Sequence, residues 1–337
     1  MVDILTRYIV SVVPVVTFLV TLIFLDSYKL IKFRSVCTAA LFGFCAALVS
    51  FLISIAGLEG NAITVDTYAR YVAPPLEELL KLCYLIFLLR TKRIGFMVDA
   101  AIYGFAIGTG FAIIENIYFL TTLASSNVLL WIIRGFGTAV MHGGTVALVG
   151  VIAVSLSERY EAASFRTLFP GFLMAMLIHS TYNHFFVSPF LAALIIVILL
   201  PLIMLAVFRR SEQGLQKWLG IGFDSDAQIL EMITTGNITE TRIGHYLLAL
   251  KRRFSGEVVA DMLCLLRLHV ELALKAKGIL LMREAGFDVK PDVEVREKFD
   301  ELRYLEKSIG RTGLLAMEPI LHWSSRDLWQ LYMLGKH

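Results

Sequence analysis

Apolar residues run through this chain in two patterns. Before Arg209 they form long stretches broken by short polar segments, and after it they recur every three or four positions. An apolar run of about 20 residues is what an α-helix needs to cross a bilayer. Seven windows read that way: Tyr8–Leu25, Val36–Gly57, Tyr71–Leu89, Met97–Leu120, Leu129–Leu156, Leu168–Val187 and Phe190–Phe208. The first has Arg7 upstream and no small-residue cleavage signature behind it, so it reads as a retained span rather than a removed signal. Beyond Arg209, Val258, Met262, Leu265, Leu266, Val270, Leu272 and Leu274 fall at helical intervals, with Thr239 and Ser255 as candidate N-caps. The expected fold is all-α. A polytopic transmembrane helix bundle of about seven spans occupies 1–208, and a cytosolic α-helical domain occupies 209–337.

Composition sharpens this division. The chain is 57% hydrophobic, above the roughly 45–50% of a soluble protein, and the surplus lies before Arg209. The remainder holds 19 of the 31 Lys and Arg and 18 of the 28 Asp and Glu, so it is charge-rich yet close to neutral. Lys251-Arg252-Arg253 reads as a solvated helix face, and no nucleic-acid partner is expected. His245, His269 and His322 have no companions at metal-ligand spacing, and the partner of this domain is not legible. Cys37, Cys45 and Cys83 fall within spans, and no cysteine spacing suits a metal or argues for a disulfide.

Basic residues in short loops set orientation. Lys29, Lys32 and Arg34 lie in the first loop, Arg90, Lys92 and Arg93 in the third, Arg159 and Arg166 in the fifth, and Arg209-Arg210 follows the seventh window. The alternate loops contribute only Arg70. The expectation is an integral protein of a prokaryotic cell membrane, N-terminus outside and C-terminus cytosolic.

The third to sixth windows carry residues that a bilayer penalises. Glu77, Glu78 and Lys81 follow Pro74-Pro75, which suits the first turn of a helix. Lys81 reaches back to either glutamate along one face. Two carboxylates exceed what one lysine neutralises, leaving one available as a base. Glu115 follows Gly104 and Gly108, whose small-xxx-small surface allows close helix packing. His142 sits mid-span among Gly135, Ala139 and Gly143, and His179 shares a face with Asn183. His184 reads as a rim residue, and Asp99 and Arg134 as interfacial ones. With a rise of about 1.5 Å per residue, the glutamates and His179 fall roughly 8–14 Å below the outer surface, and His142 somewhat deeper. One shared, water-accessible cavity explains that agreement.

Carboxylates, imidazoles and an amide are an inventory for hydrolysis by an activated water. In one scheme His142, His179 and Glu115 hold Zn²⁺, and Glu77 or Glu78 takes the proton from its water. In a metal-free scheme a glutamate and a histidine activate water directly, and Asn183 stabilises the oxyanion. The spacing leaves both open, and HExxH and GxSxG are absent. Rival readings are a lipid amide or ester hydrolase, a proton-coupled transporter and a seven-helix receptor. No internal repeat supports the transporter, and no lysine in the seventh window offers a retinal Schiff base.

Glu77-Glu78-Leu-Leu-Lys81, Phe111-x-x-x-Glu115-Asn116, His142 and His179-x-x-x-Asn183, in order on successive helices, resemble the PrsW family of intramembrane proteases. That family is related to CAAX prenyl endopeptidases and bacteriocin-processing enzymes. The resemblance covers about residues 70–190. CAAX-type enzymes have histidine where this chain has Glu115. The resemblance implies peptide-bond hydrolysis near the outer face, on membrane-tethered substrates such as single-pass anti-sigma factors. It implies that Glu77 and Glu78 supply the base and its partner, that Glu115 and His142 complete the water or metal site, and that His179 with Asn183 supports the oxyanion or metal. Members are usually called metalloproteases.

Overall fold

The computed structural model describes residues 4–26, 31–59, 64–122, 127–157, 163–287, 289, 293–321 and 334; Lys29, Arg159 and His322 lie outside them. The described residues contain helices and no strand. In chain order the α-helices are α1 (Ile4–Phe24), α2 (Phe33–Glu59), α3 (Val65–Thr67), α4 (Ala73–Arg90), α5 (Met97–Thr122), α6 (Val128–Ile132), α7 (Ala139–Leu156), α8 (Phe165–Asn183), α9 (Pro189–Thr234), α10 (Arg242–Leu250), α11 (Gly256–Glu284) and α12 (Val293–Leu321). Two π-helical segments, Tyr68–Val72 and Ile133–Thr138, lead into α4 and α7.

Among the described residues, five segments are long and apolar enough to cross a membrane: Leu5–Phe24, Phe33–Leu58, Met97–Thr122, Val128–Leu156 and Pro189–Thr234. The windows around Tyr71–Leu89 and Leu168–Val187 also form helices, α4 and α8, but with more polar side chains. Glu77, Glu78, Lys81 and Arg90 dilute α4, and Arg166, His179 and Asn183 dilute α8. The two weakest membrane signals are therefore helices that bring ionisable groups together.

The chain divides into Met1–Ser211 and Glu212–His337. In the first unit α5 is the central helix. It is apolar on all sides, as a fully buried helix must be, and every residue from Val98 to Ala112 is buried. Glycines let neighbouring backbones touch it. A Cβ on Gly43 or Gly110 would strike the α5 or α2 backbone, at the carbonyl of Ile107 or Ala40. A Cβ on Gly104 would lie 2.6 Å from the Val146 carbonyl of α7, and one on Gly108 would strike the His142 carbonyl. The expected small-residue surface is thus an α5–α7 seam, and it fixes the height of His142.

The second unit has its own core, where Met262, Leu265, Leu272 and Ala276 of α11 meet Leu302, Leu305 and Met317 of α12. Ser255 caps α11 as expected, its Oγ accepting from the Val258 N–H. The cap expected at Thr239 lies instead at Thr241, because a 3₁₀ turn over Asn237–Glu240 precedes α10. Lys277, almost wholly buried, pairs with Asp226 at 2.5 Å. Gly310 breaks α12 with φ +72°, a conformation that costs glycine little.

Gly108→Val should separate α5 from α7 and lower the thermal unfolding midpoint of the purified protein, at a cost of several kcal/mol. Gly220→Ala, with nothing within 4 Å of the added Cβ, should leave it equal or higher. Similar midpoints for both would refute the close-packed seam.

Candidate active site

The site begins with a backbone problem. Pro74 and Pro75 do not open a free helix end, because the π-helical turn Tyr68–Val72 runs directly into α4. In that turn the Ala73 N–H bonds to the Tyr68 carbonyl. The carbonyls of Ala69 and Arg70 would next be served by residues 74 and 75, and prolines have no N–H to give. Two side chains of α8 take their place. Asn183 Nδ2 donates to Ala69 O at 2.9 Å, and Ser180 Oγ donates to Arg70 O at 2.7 Å. Leaving such carbonyls unserved would cost roughly 1–3 kcal/mol each. The pairing docks α8 against the start of α4, one turn from Glu77 and Glu78.

Glu78 and Lys81 are fully buried and joined at 2.6 Å. Glu78 Oε1 also accepts from His179 Nδ1 at 2.8 Å, and Oε2 accepts from Thr145 Oγ1 at 3.2 Å. A carboxylate so engaged is an anchor, joining α4, α7 and α8. Lys81 Nζ donates onward to His142 Nδ1 at 2.9 Å and lies 4.5 Å from the Phe111 ring centroid. His142 must then carry its proton on Nε2, which donates to Glu115 Oε2 at 2.8 Å. The other Glu115 oxygen forms an ion pair with Arg134 at 3.1 Å. Arg134 is held in turn by Asn116 Oδ1 and by the face of Phe119, and Asn116 donates to Ser11 O on α1.

Glu77 differs from the other two glutamates. Among the described residues no lysine or arginine pairs with it, and its carboxylate stands 3.8 Å from His179 Nε2, too far for a direct hydrogen bond and suited to a group held between them. Donor atoms of Glu77, His142 and His179 all lie within 4.8 Å of one another. Two imidazoles and a carboxylate are a known zinc donor set with a position left for water. His179 fits it as it stands, since Nδ1–H on Glu78 orients Nε2 outward. His142 supplies a lone pair once Lys81 or Glu115 releases a ring nitrogen. The sequence expectation placed Glu115 in the ligand set; here both its oxygens are engaged by His142 and Arg134, and Glu77 takes the place beside the histidines.

A family model described as PrsW family intramembrane metalloprotease matches residues 31–208, just over half of the chain, a stretch that includes Glu77, Glu78, Lys81, Glu115, Arg134, His142 and His179. The chain belongs to the PrsW family. No curated protein and no solved structure matches it. As a PrsW protease it is an integral membrane protein whose substrates are membrane proteins.

In this PrsW protease the residues read from sequence converge, except that Asn183 is committed to backbone carbonyl 69. His184 stays apart, its Nδ1 2.6 Å from Ser180 O and its ring edge-on to Tyr71. Asp99 likewise serves local structure, accepting from the Gly95 and Phe96 N–H groups. Sequence reasoning missed Arg134, Thr145 and Ser180. Arg134 lies near a window end and reads as interfacial, and hydroxyls inside apolar helices carry no signal of their own. Ser180 was detectable in principle, since a double proline inside a helix implies donors elsewhere.

Asn183→Ala and Ser180→Ala should each lower stability by about 1–3 kcal/mol. Restoring an N–H with Pro74→Ala in the Asn183→Ala background should recover part of both stability and cleavage. An amide that served an oxyanion directly would gain nothing from that second change.

Proposed function

We propose that this PrsW protease hydrolyses peptide bonds of membrane-tethered proteins near the outer face of the bilayer, with Glu77 taking the proton from the attacking water. The observation that carries this reading is the contrast among the glutamates. Glu78 and Glu115 are held by cations and hydrogen bonds, whereas Glu77 faces His179 Nε2 across a 3.8 Å gap. A water there meets a carboxylate on one side and an imidazole on the other.

The roles follow from the contacts. In the metal-free scheme Glu78 holds His179 through Nδ1, so that Nε2 can receive the proton Glu77 took from the water and pass it to the leaving amine. Lys81 and Glu115 fix the tautomer of His142 from its two sides. Arg134 holds Glu115 away from the water, and Asn183 holds the α4 entry through Ala69. In an alternative, zinc-dependent scheme Glu77, His142 and His179 would hold Zn²⁺, which would supply a bound water with a pKa near 7, and Glu77 would then be a ligand rather than the base. The loop pattern of Lys and Arg supports an outward N-terminus and a cytosolic 209–337 domain that regulates or docks. The resemblance to the family, rather than the geometry, suggests a single-pass regulator of the anti-sigma class as substrate.

Glu77→Gln should lower cleavage by about 10²–10⁴-fold without moving the unfolding midpoint. Comparing membrane proteomes with and without it identifies the substrate. Full cleavage by Glu77→Gln would overturn the assignment. Elemental analysis decides between the schemes: zinc in the wild type and less in Glu77→Gln selects the ligand role, and a zinc-free wild type that still cleaves selects the metal-free one.

A further inference from the structure

Beside the cluster lies a cavity of about 440 Å³ bounded by α7, α8 and the first half of α9. Its walls are aliphatic, with Gly144 and Leu148 of α7, Ile178 of α8, and Ile196 and Leu199 of α9 among them, and no charged residue lines it. Its polar members are three hydroxyls, of which Thr145 donates to Glu78 and to the His142 carbonyl, the Tyr182 hydroxyl accepts from Thr138, and Thr181 is the third. With no charged group and only these hydroxyls, the wall suits an apolar occupant better than a charged headgroup. The cavity adjoins the chemistry directly, since Thr145 belongs both to its wall and to the Glu78 clamp, and Met141 and Ile178 are the chain neighbours of His142 and His179.

We propose that this cavity is a selectivity pocket that takes a bulky apolar side chain of the substrate, carried next to the bond being cut. The inference rests on the peptidase reading above. A cavity of roughly 150 Å³ already accommodates benzene, so this volume holds an aromatic or branched side chain with room for adjoining atoms. An occupant here lies against Thr145, which bonds the Glu78 that orients His179, so its binding energy can position the scissile bond. The small side chain of Ala192, on the α9 wall, keeps the pocket open on that side.

The test maps new N-termini in membranes of cells expressing full-length wild type, Glu77→Gln, Ala192→Trp or Leu148→Ala. Glu77-dependent sites should share Leu, Ile, Met or Phe at one position beside the cut. Ala192→Trp should cut these at least about tenfold more slowly and favour Ala at that position, and Leu148→Ala should shift preference toward larger aromatics. The Leu148→Ala shift is decisive should Ala192→Trp fail to fold. Glu77-dependent sites with no residue preference, or a preference unchanged in Leu148→Ala, would overturn the pocket alone. So would a phospholipid retained by wild type and lost from Ala192→Trp, seen by native mass spectrometry, with an unchanged cleavage profile. Absence of any Glu77-dependent site would instead overturn the peptidase reading and the pocket with it.

Discussion

The buried pair of Glu78 and Lys81 governs the architecture of this site. Both side chains have no exposed surface, and the 2.6 Å contact alone does not offset the desolvation of two ions. The pair persists because its remaining hydrogen-bonding capacity is met from three directions, by Thr145, His142 and His179. Each of those partners comes from a different point on α7 or α8, so satisfying the pair specifies how the helices meet. Removing one partner would leave a charge stranded in an apolar interior, a far larger penalty than losing one surface contact. Stability and chemistry thus draw on the same few atoms.

Close backbone packing makes those distances possible. Gly43 and Gly110 bring α2 against α5, and Gly104 and Gly108 bring α5 against α7. Without a hydrophobic driving force between helices in lipid, such contact depends on small residues. The π-helical turns then set the azimuth of α4 and α7. Each inserts one residue into the helical count, and both stand just before a helix that carries site residues, as such bulges often do.

Much of this was legible in the chain. The apolar windows gave the helices, and acidic and imidazole residues inside them marked the site, because polar groups at membrane depth need a reason to be there. The Gly104–Gly108 surface foretold the seam that seats His142. What periodicity does not encode is which carboxylate ends up committed. Glu77 and Glu78 are adjacent and chemically identical, and only the positions of Lys81, Thr145 and His179 distinguish anchor from free group. Arg134 escapes notice for a similar reason: its distance from Glu115 depends on the π-helical turn Ile133–Thr138, which no hydropathy window reveals. Pro74-Pro75 looks harmless at a helix start, yet the turn before it makes the prolines interior and calls Ser180 and Asn183 into service.

Counting formal charge around the hollow draws out what Arg134 does. Glu77, Glu78 and Glu115 bring three anions, and Lys81 and Arg134 bring two permanent cations. With both imidazoles neutral, the sum is minus one, and Glu77 is the carboxylate with no lysine or arginine paired to it among the described residues. A low-dielectric pocket with that imbalance favours a cation, and Arg134 limits the imbalance to a single charge.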